Sequence, residues 1–227
     1  MPVFLKYEYL YLLSLSLSAI FSLRSFRQKW PKPYRLFAVL VMVFLLTELL
    51  AIVWRWRLHS MFGWNYPPNN FWIYNMFITI RLGMLLGIFY QVFHSTGIKK
   101  AMLYIGPALV LFNLVNYFAI QGPYQYNTYS LIFAHIPIII LCLYYFRQLL
   151  EDSRIIVLHK EPLIWMTLGT FIYHVASLPF LIMLGFLNIQ QSDLVLLYLP
   201  INDTLNLLMC SFYLISFLCK PQQMQLC

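Results

Sequence analysis

Charge is what this sequence lacks. Asp, Glu, Lys and Arg together make up 10% of its 227 residues, whereas a soluble domain of ordinary composition carries about 25%. So few charged side chains cannot cover a water-facing surface, which excludes a soluble globular protein and leaves lipid as the main solvent. Polar stretches longer than a loop are missing as well, so no separate soluble domain fits. No span carries a mid-helix lysine, since Lys220 is terminal, and this excludes a retinal Schiff base. H-x-x-x-H and H-E-x-x-H pairs, a G-x-S-x-G elbow and glycine-rich phosphate loops are all absent, so the sequence gives no warrant for a metal, a cofactor or nucleophilic catalysis. The four cysteines, Cys142, Cys210, Cys219 and Cys227, have no metal-ligand spacing and are expected as free thiols.

What the chain does have is apolar length. Hydrophobic residues make up 62% and the mean hydropathy is +0.73. Runs of about 20 apolar residues suffice to cross a bilayer as helices, and helix is the option that satisfies every backbone group in lipid within such a run. Seven runs qualify, at about 3–23, 36–54, 71–93, 101–120, 127–147, 162–186 and 196–219. The expected fold is therefore all-α, a polytopic integral membrane protein with seven transmembrane helices in one domain. The first run has no basic segment before it beyond Lys6 and no small-x-small cleavage site before Arg24, so it reads as a helix and not as a signal peptide.

The net charge of +8 would suggest nucleic acid in a soluble protein, but here the basic residues sort by loop, so no nucleic-acid partner is expected. Arg24, Arg27, Lys29, Lys32, Arg35, Lys99, Lys100, Arg147, Arg154, Lys160 and Lys220 fall on one side, and Lys6, Arg55 and Arg57 on the other. The positive-inside rule then places the N-terminus outside and the C-terminus in the cytoplasm. The location implied is a cell membrane, of the bacterial inner-membrane type. The loop "RWRLHSMFGWNYPPNN" (55–70) supplies aromatic residues suited to the interfacial belt, or else a lid over an outward cavity.

An internal repeat is suggested by two scraps of sequence. "FRQ" closes the first helix at Phe26–Gln28 and the fifth at Phe146–Gln148, and Asn-rich segments open the third ("NNFWIYN", 69–75) and the seventh ("INDTLN", 201–206). Helices 1–3 and 5–7 would then be parallel copies with helix 4 as linker, the 3+1+3 arrangement of certain carriers, whose sites lie near the midplane.

Ionisable residues inside a span are costly unless paired or hydrated, which makes each a functional candidate. Five occur: Glu48, Arg81, His135, His174 and Asp203. At about 1.5 Å per residue they fall roughly 9 to 18 Å from the outer edge, in the outer half and the midplane. A cavity opening outward would give five helices a reason to share this depth. Asn202, Asp203 and Asn206 lie on neighbouring parts of one helix face, and Asn75 and Tyr74 could line the same space. For each there is a plainer alternative. Arg81 could form an ion pair with Asp203 or Glu48, His135 beside Pro137 could serve packing, and the asparagines could act as interhelical glue.

Two segments resemble the small carotenoid cyclases of the lycopene type, which are built from paired three-helix repeats. "KYEYLYLL" (6–13) looks like their opening helix and "LPIND" (199–203) like their acidic motif. The resemblance implies an acidic motif position for Asp203, with Asn202 replacing a glutamate, and isoprenoid chemistry at the site. The segment "NNFWIYNMF" lacks the proline and glutamates of the family's first motif. The chain also looks like compact seven-helix bacterial membrane proteins and seven-helix sensor modules. Three functions follow as expectations. The first is a non-enzymatic, sensor-like protein binding a small or lipid-like ligand in an outward cavity, signalling through a cytoplasmic partner, for which the basic loop 24–35 is available. The second is an alternating-access transporter, and the third an isoprenoid-modifying enzyme.

Overall fold

The computed structural model describes residues 4–54, 70–151, 158–189 and 195–221. It is helical throughout these residues. The helices are α1 (Phe4–Arg27), α2 (Lys32–Val53), α3 (Phe71–Val92), α4 (Thr96–Val115, continued by a π turn Asn116–Ile120), α5 (Thr128–Glu151), α6 (Pro162–Ile189) and α7 (Val195–Leu218). Each of the seven apolar runs is thus a helix. Among the described residues, α2 to α7 each contain a segment long and apolar enough to cross a membrane. The loop 55–69, which carries Arg55 and Arg57, and the tail with Cys227 lie outside the described residues, as do the side chains of Lys6 and Glu8.

Six helices form a closed ring. Neighbours pack in the order α1, α2, α3, α5, α6, α7, and α7 closes back on α1. Helix α4 stands outside the ring and packs on α3 and α5; only Met102, Gly106 and Asn113 of Thr96–Val115 are buried. The ring's outer surface is apolar, with Ile20, Leu46, Leu49, Ile140 and Leu143 among its exposed side chains, the opposite of what a water-soluble bundle shows.

The α1–α7 seam explains the serines of "LSLSLSAIFSLRS". Ser14, Ser18, Ser22 and Ser25 are buried together with Tyr11, Leu15 and Ala19, which recur at the three- and four-residue spacing of one helix face. Small side chains let two backbones approach closely. Ser18 Oγ lies 2.8 Å from Ser14 O and 3.0 Å from Cys210 O of α7. The α6–α7 crossing is tighter still. A Cβ on Gly169 would stand 2.7 Å from Phe212 Cβ and 3.2 Å from Met209 O.

Side-chain contacts collect the basic chain segments at one end of the ring. Tyr34 at the start of α2 donates to Glu161 before α6, Ser216 of α7 donates to Pro162 O at 2.7 Å, and Gln148 of α5 donates to Val92 O of α3 at 3.3 Å. This end is filled by aromatic rings. Phe37 stacks on Phe217 at 4.8 Å and meets Tyr213 edge-on at 4.9 Å, and Phe89 stacks on Phe93 at 5.4 Å. Cys142 and Cys210 are buried free thiols and Cys219 a half-buried one, as their spacing implied.

Helix α1 ends in a left-handed residue. Lys29 has φ 49°, and Trp30 N–H donates to Ser25 O at 2.9 Å across it, the closure of a Schellman cap. A side chain in that conformation costs about 1 kcal/mol that glycine avoids. Lys29→Gly is therefore expected to stabilise the detergent-solubilised protein by ~0.5–1 kcal/mol, measured as a rise in its unfolding midpoint; a fall would show that the lysine head is holding the loop.

Candidate ligand-binding site

The buried ionisable groups occupy two layers inside the ring, towards the end opposite the basic one. The upper layer is centred on Glu48 of α2, which is 5% exposed. Its Oε2 accepts from Tyr11 of α1 at 2.8 Å and from Tyr74 of α3 at 2.9 Å. Two phenol donors on one carboxylate oxygen tie three consecutive ring helices together near their ends, and charge-assisted bonds of this kind are stronger than neutral ones.

The lower layer is centred on Arg81, seven residues beyond Tyr74 and so on the same side of α3, about 10 Å deeper. The guanidinium is half-buried and reaches across the ring to α6 and α7. Its Nη2 donates to His174 Nε2 at 3.3 Å and to Met209 Sδ at 3.4 Å. Its Cζ stands 4.7 Å from the centroid of the Tyr173 ring. Because arginine only donates, His174 Nε2 accepts and the ring's proton sits on Nδ1, which makes His174 neutral. That Nδ1 is buried without a hydrogen-bond partner. Arg81 is thus held by an imidazole, a thioether and an aromatic face, all neutral. Between described residues the ion pair that forms is Arg147–Glu151, an exposed pair within α5, and none of the described carboxylates lies within ion-pair distance of Arg81.

Helix α7 supplies the third wall. Asn202 and Asp203 are half-buried and Asn206 is 9% exposed. Asn202 Oδ1 accepts from the Tyr173 hydroxyl at 3.3 Å, which links the polar end of α7 to the ring under which Arg81 sits. Asn206 lies one turn beyond Asp203 and one turn before Met209, the residue that touches Arg81. Asn206 is therefore on the same face of α7 as Met209 and is 9% exposed.

Two of the sequence candidates are committed elsewhere. Asn75 is 3% exposed and clamps the turn between α4 and α5. Its Nδ2 donates to Gln125 O at 2.8 Å and its Oδ1 accepts from Asn127 N–H at 3.1 Å. The same turn is held by Asn116, which donates to Gln121 Oε1 at 2.9 Å and Ser130 Oγ at 2.8 Å. His135 has both nitrogens engaged, Nδ1 donating to Leu131 O at 2.7 Å and Nε2 facing Ser177 Oγ at 2.9 Å. It meets the site only through its ring, edge-on to His174 with centroids 4.3 Å apart. The site that the structure brings together is Arg81, His174, Asn202 and Asn206, with Glu48 above. Tyr11, Tyr173 and Met209 belong to it as well, and nothing in their local sequence sets them apart from other apolar-run residues.

The fold and the candidate site define a class, a helical bundle with an apolar surface and buried polar groups, six of whose helices are long and apolar enough to cross a membrane. No protein-family model matches the chain, and no curated protein and no solved structure is significantly similar to it.

Proposed function

We propose that the protein binds a small, lipid-like ligand carrying an anionic group, with that group at Arg81, as a non-enzymatic membrane sensor or receptor-like module. The observation that carries this reading is the state of Arg81. A guanidinium placed mid-helix inside an apolar ring costs free energy, and the usual compensation is a nearby carboxylate. Among the described residues Arg81 has neutral partners instead, beside a His174 Nδ1 that is buried without a partner. A carboxylate or phosphate offers acceptors to Arg81 and to the His174 N–H, and Arg presents a planar fork suited to both anions. Leu82, Leu85, Ile138 and Met166 are among the buried apolar side chains of the ring, which suits a hydrocarbon portion.

On this reading the ligand enters from the side away from the basic loops. The basic end is packed with Phe37, Phe217, Tyr213 and Phe89, whereas the half-buried Asn202 and Asp203 lie at the other. With the basic loops in the cytoplasm, the site opens outward. A second reading, an alternating-access carrier of the 3+1+3 type, draws on the ring itself: α1–α3 and α5–α7 form its two halves and α4 lies outside it, as a linker between parallel repeats would. The aromatic packing of the basic end favours the sensor over the carrier.

The test is thermal unfolding in detergent against three probes of one chain length: octanoate, octanol and octylamine. A ligand that binds only the folded state raises the midpoint in proportion to its occupancy. Octanoate is expected to stabilise the wild type and to have no effect on Arg81→Met, with octanol and octylamine inactive on both. Equal stabilisation by octanol, or an octanoate effect that survives in Arg81→Met, would overturn the reading.

A further inference from the structure

A second site lies at the basic end, on the outside of the ring. A cleft of about 290 Å³ is lined by Phe26 from the last turn of α1, by Lys32, Arg35, Leu36 and Val39 from the first two turns of α2, and by Gln91 from the last turn of α3. That volume is close to roughly 300 Å³, where small-molecule sites begin. Lys32, Arg35, Leu36 and Val39 follow the three- and four-residue spacing of one helix face, so the cleft grades from cationic at its rim to apolar along the helix. Lys32, Arg35, Phe26 and Val39 are all exposed, Phe26 at 40% and Val39 at 37%. Among the described residues no acidic side chain lines it. Gln91 contributes a carboxamide whose Nε2 is turned to Gly87 O at 3.2 Å.

We propose that this cleft binds an anionic phospholipid from the leaflet on the basic side. Its phosphate sits between Lys32 and Arg35, and one acyl chain lies along Phe26, Leu36 and Val39. The charges say what sign the occupant has. The exposed apolar walls directly beside them say that it carries hydrocarbon, which a free phosphate does not. The depth within the chain agrees, because Lys32 and Arg35 stand at the start of a membrane-length helix, where headgroups lie. The positive end of the α2 dipole adds to the same field. Basic pockets between helices on the cytoplasmic side are the expected receivers of anionic headgroups. This site is independent of Arg81 and stands whether or not the ligand-binding reading holds.

Native mass spectrometry of the protein, taken from micelles containing equal amounts of phosphatidylglycerol and phosphatidylcholine of one chain length, reads the preference directly. The wild type is expected to retain phosphatidylglycerol about tenfold over phosphatidylcholine. The Lys32→Gln/Arg35→Gln double variant should lose most of that preference. Arg27→Gln/Lys100→Gln removes the same charge from exposed residues at the same end but outside the cleft, and should keep it. Lys32→Arg/Arg35→Lys should keep it too, which separates lost charge from lost fold. The proposal is overturned if the wild type shows no preference, if Arg27→Gln/Lys100→Gln loses as much as the cleft variant, or if inorganic phosphate displaces the lipid at equal concentration.

Discussion

Gly169→Ala is expected to destabilise the bundle by about 2–3 kcal/mol, near the top of the range for overpacking a single methyl group. The reason is the atom it meets. The new Cβ would stand 2.7 Å from Phe212 Cβ, which moves only with the α7 backbone, and 3.2 Å from Met209 O. Neither can swing aside as the end of a long side chain can, so α6 and α7 must separate. That movement also shifts Met209 away from Arg81 and Tyr173 away from Asn202, so octanoate stabilisation should weaken in the same variant. Gly83→Ala is the matched control. Nothing lies within 4 Å of its added Cβ, and alanine favours a helix interior over glycine by roughly 0.5–1 kcal/mol. Unfolding in detergent should therefore show the two substitutions moving stability in opposite directions. Equal effects would mean that the α6–α7 crossing is not the close approach described above.

Arg81→Met is expected to abolish anionic-ligand binding while leaving the fold intact, with stability between unchanged and about 2 kcal/mol higher. Methionine keeps an unbranched chain of similar reach and adapts to the space left among Tyr173, His174 and Met209. It removes a charge whose burial has a cost and whose neighbours are neutral. Against this gain stand the hydrogen bond to His174 Nε2 at 3.3 Å, worth about 1 kcal/mol, and the weaker contacts with Met209 Sδ at 3.4 Å and the Tyr173 ring at 4.7 Å. A group that lowers stability and is needed for binding is the signature of a functional residue. If Arg81→Met instead unfolds the protein or costs several kcal/mol, the arginine is a structural post and the site loses its centre. Arg81→Ala is a poorer probe, because the emptied volume would destabilise by itself.

The helices were legible in the sequence because span length in lipid is set by hydrophobicity alone. All seven runs became helices, with ends shifted by a few residues. Arg24–Arg27, for example, continues α1 past the expected stop at 23, and α2 begins at Lys32 instead of 36, since exposed basic turns remain helical outside an apolar run. The ring order was not legible, because nothing in a one-dimensional pattern says that α1 touches α7. The serine face of α1 and Gly169 carry that information, yet each looks the same as a chance small residue until its partner is known. The polar residues were found by their rarity, which is why Glu48, Arg81, His174 and Asn206 could be named. Their roles could not. Charge alone allows an ion pair between Arg81 and Glu48, but Glu48 sits at the level of Tyr74, two helical turns above. Asn75 is a candidate by its place near the outer end of the third helix, and it is instead occupied by the 121–127 turn. Tyr173 and Met209 could not have been singled out, since only the folded ring puts them against a guanidinium.

The most direct test of the proposed ligand-binding site is mass spectrometry of what co-purifies with the detergent-extracted wild type, set beside Arg81→Met and the Lys32→Gln/Arg35→Gln variant. The expected result is an anionic amphiphile that stays with the wild type and the cleft variant and is lost from Arg81→Met. The same species present in all three samples, or a neutral polyene in place of an anion, would contradict the site at Arg81; the polyene would point to isoprenoid chemistry instead.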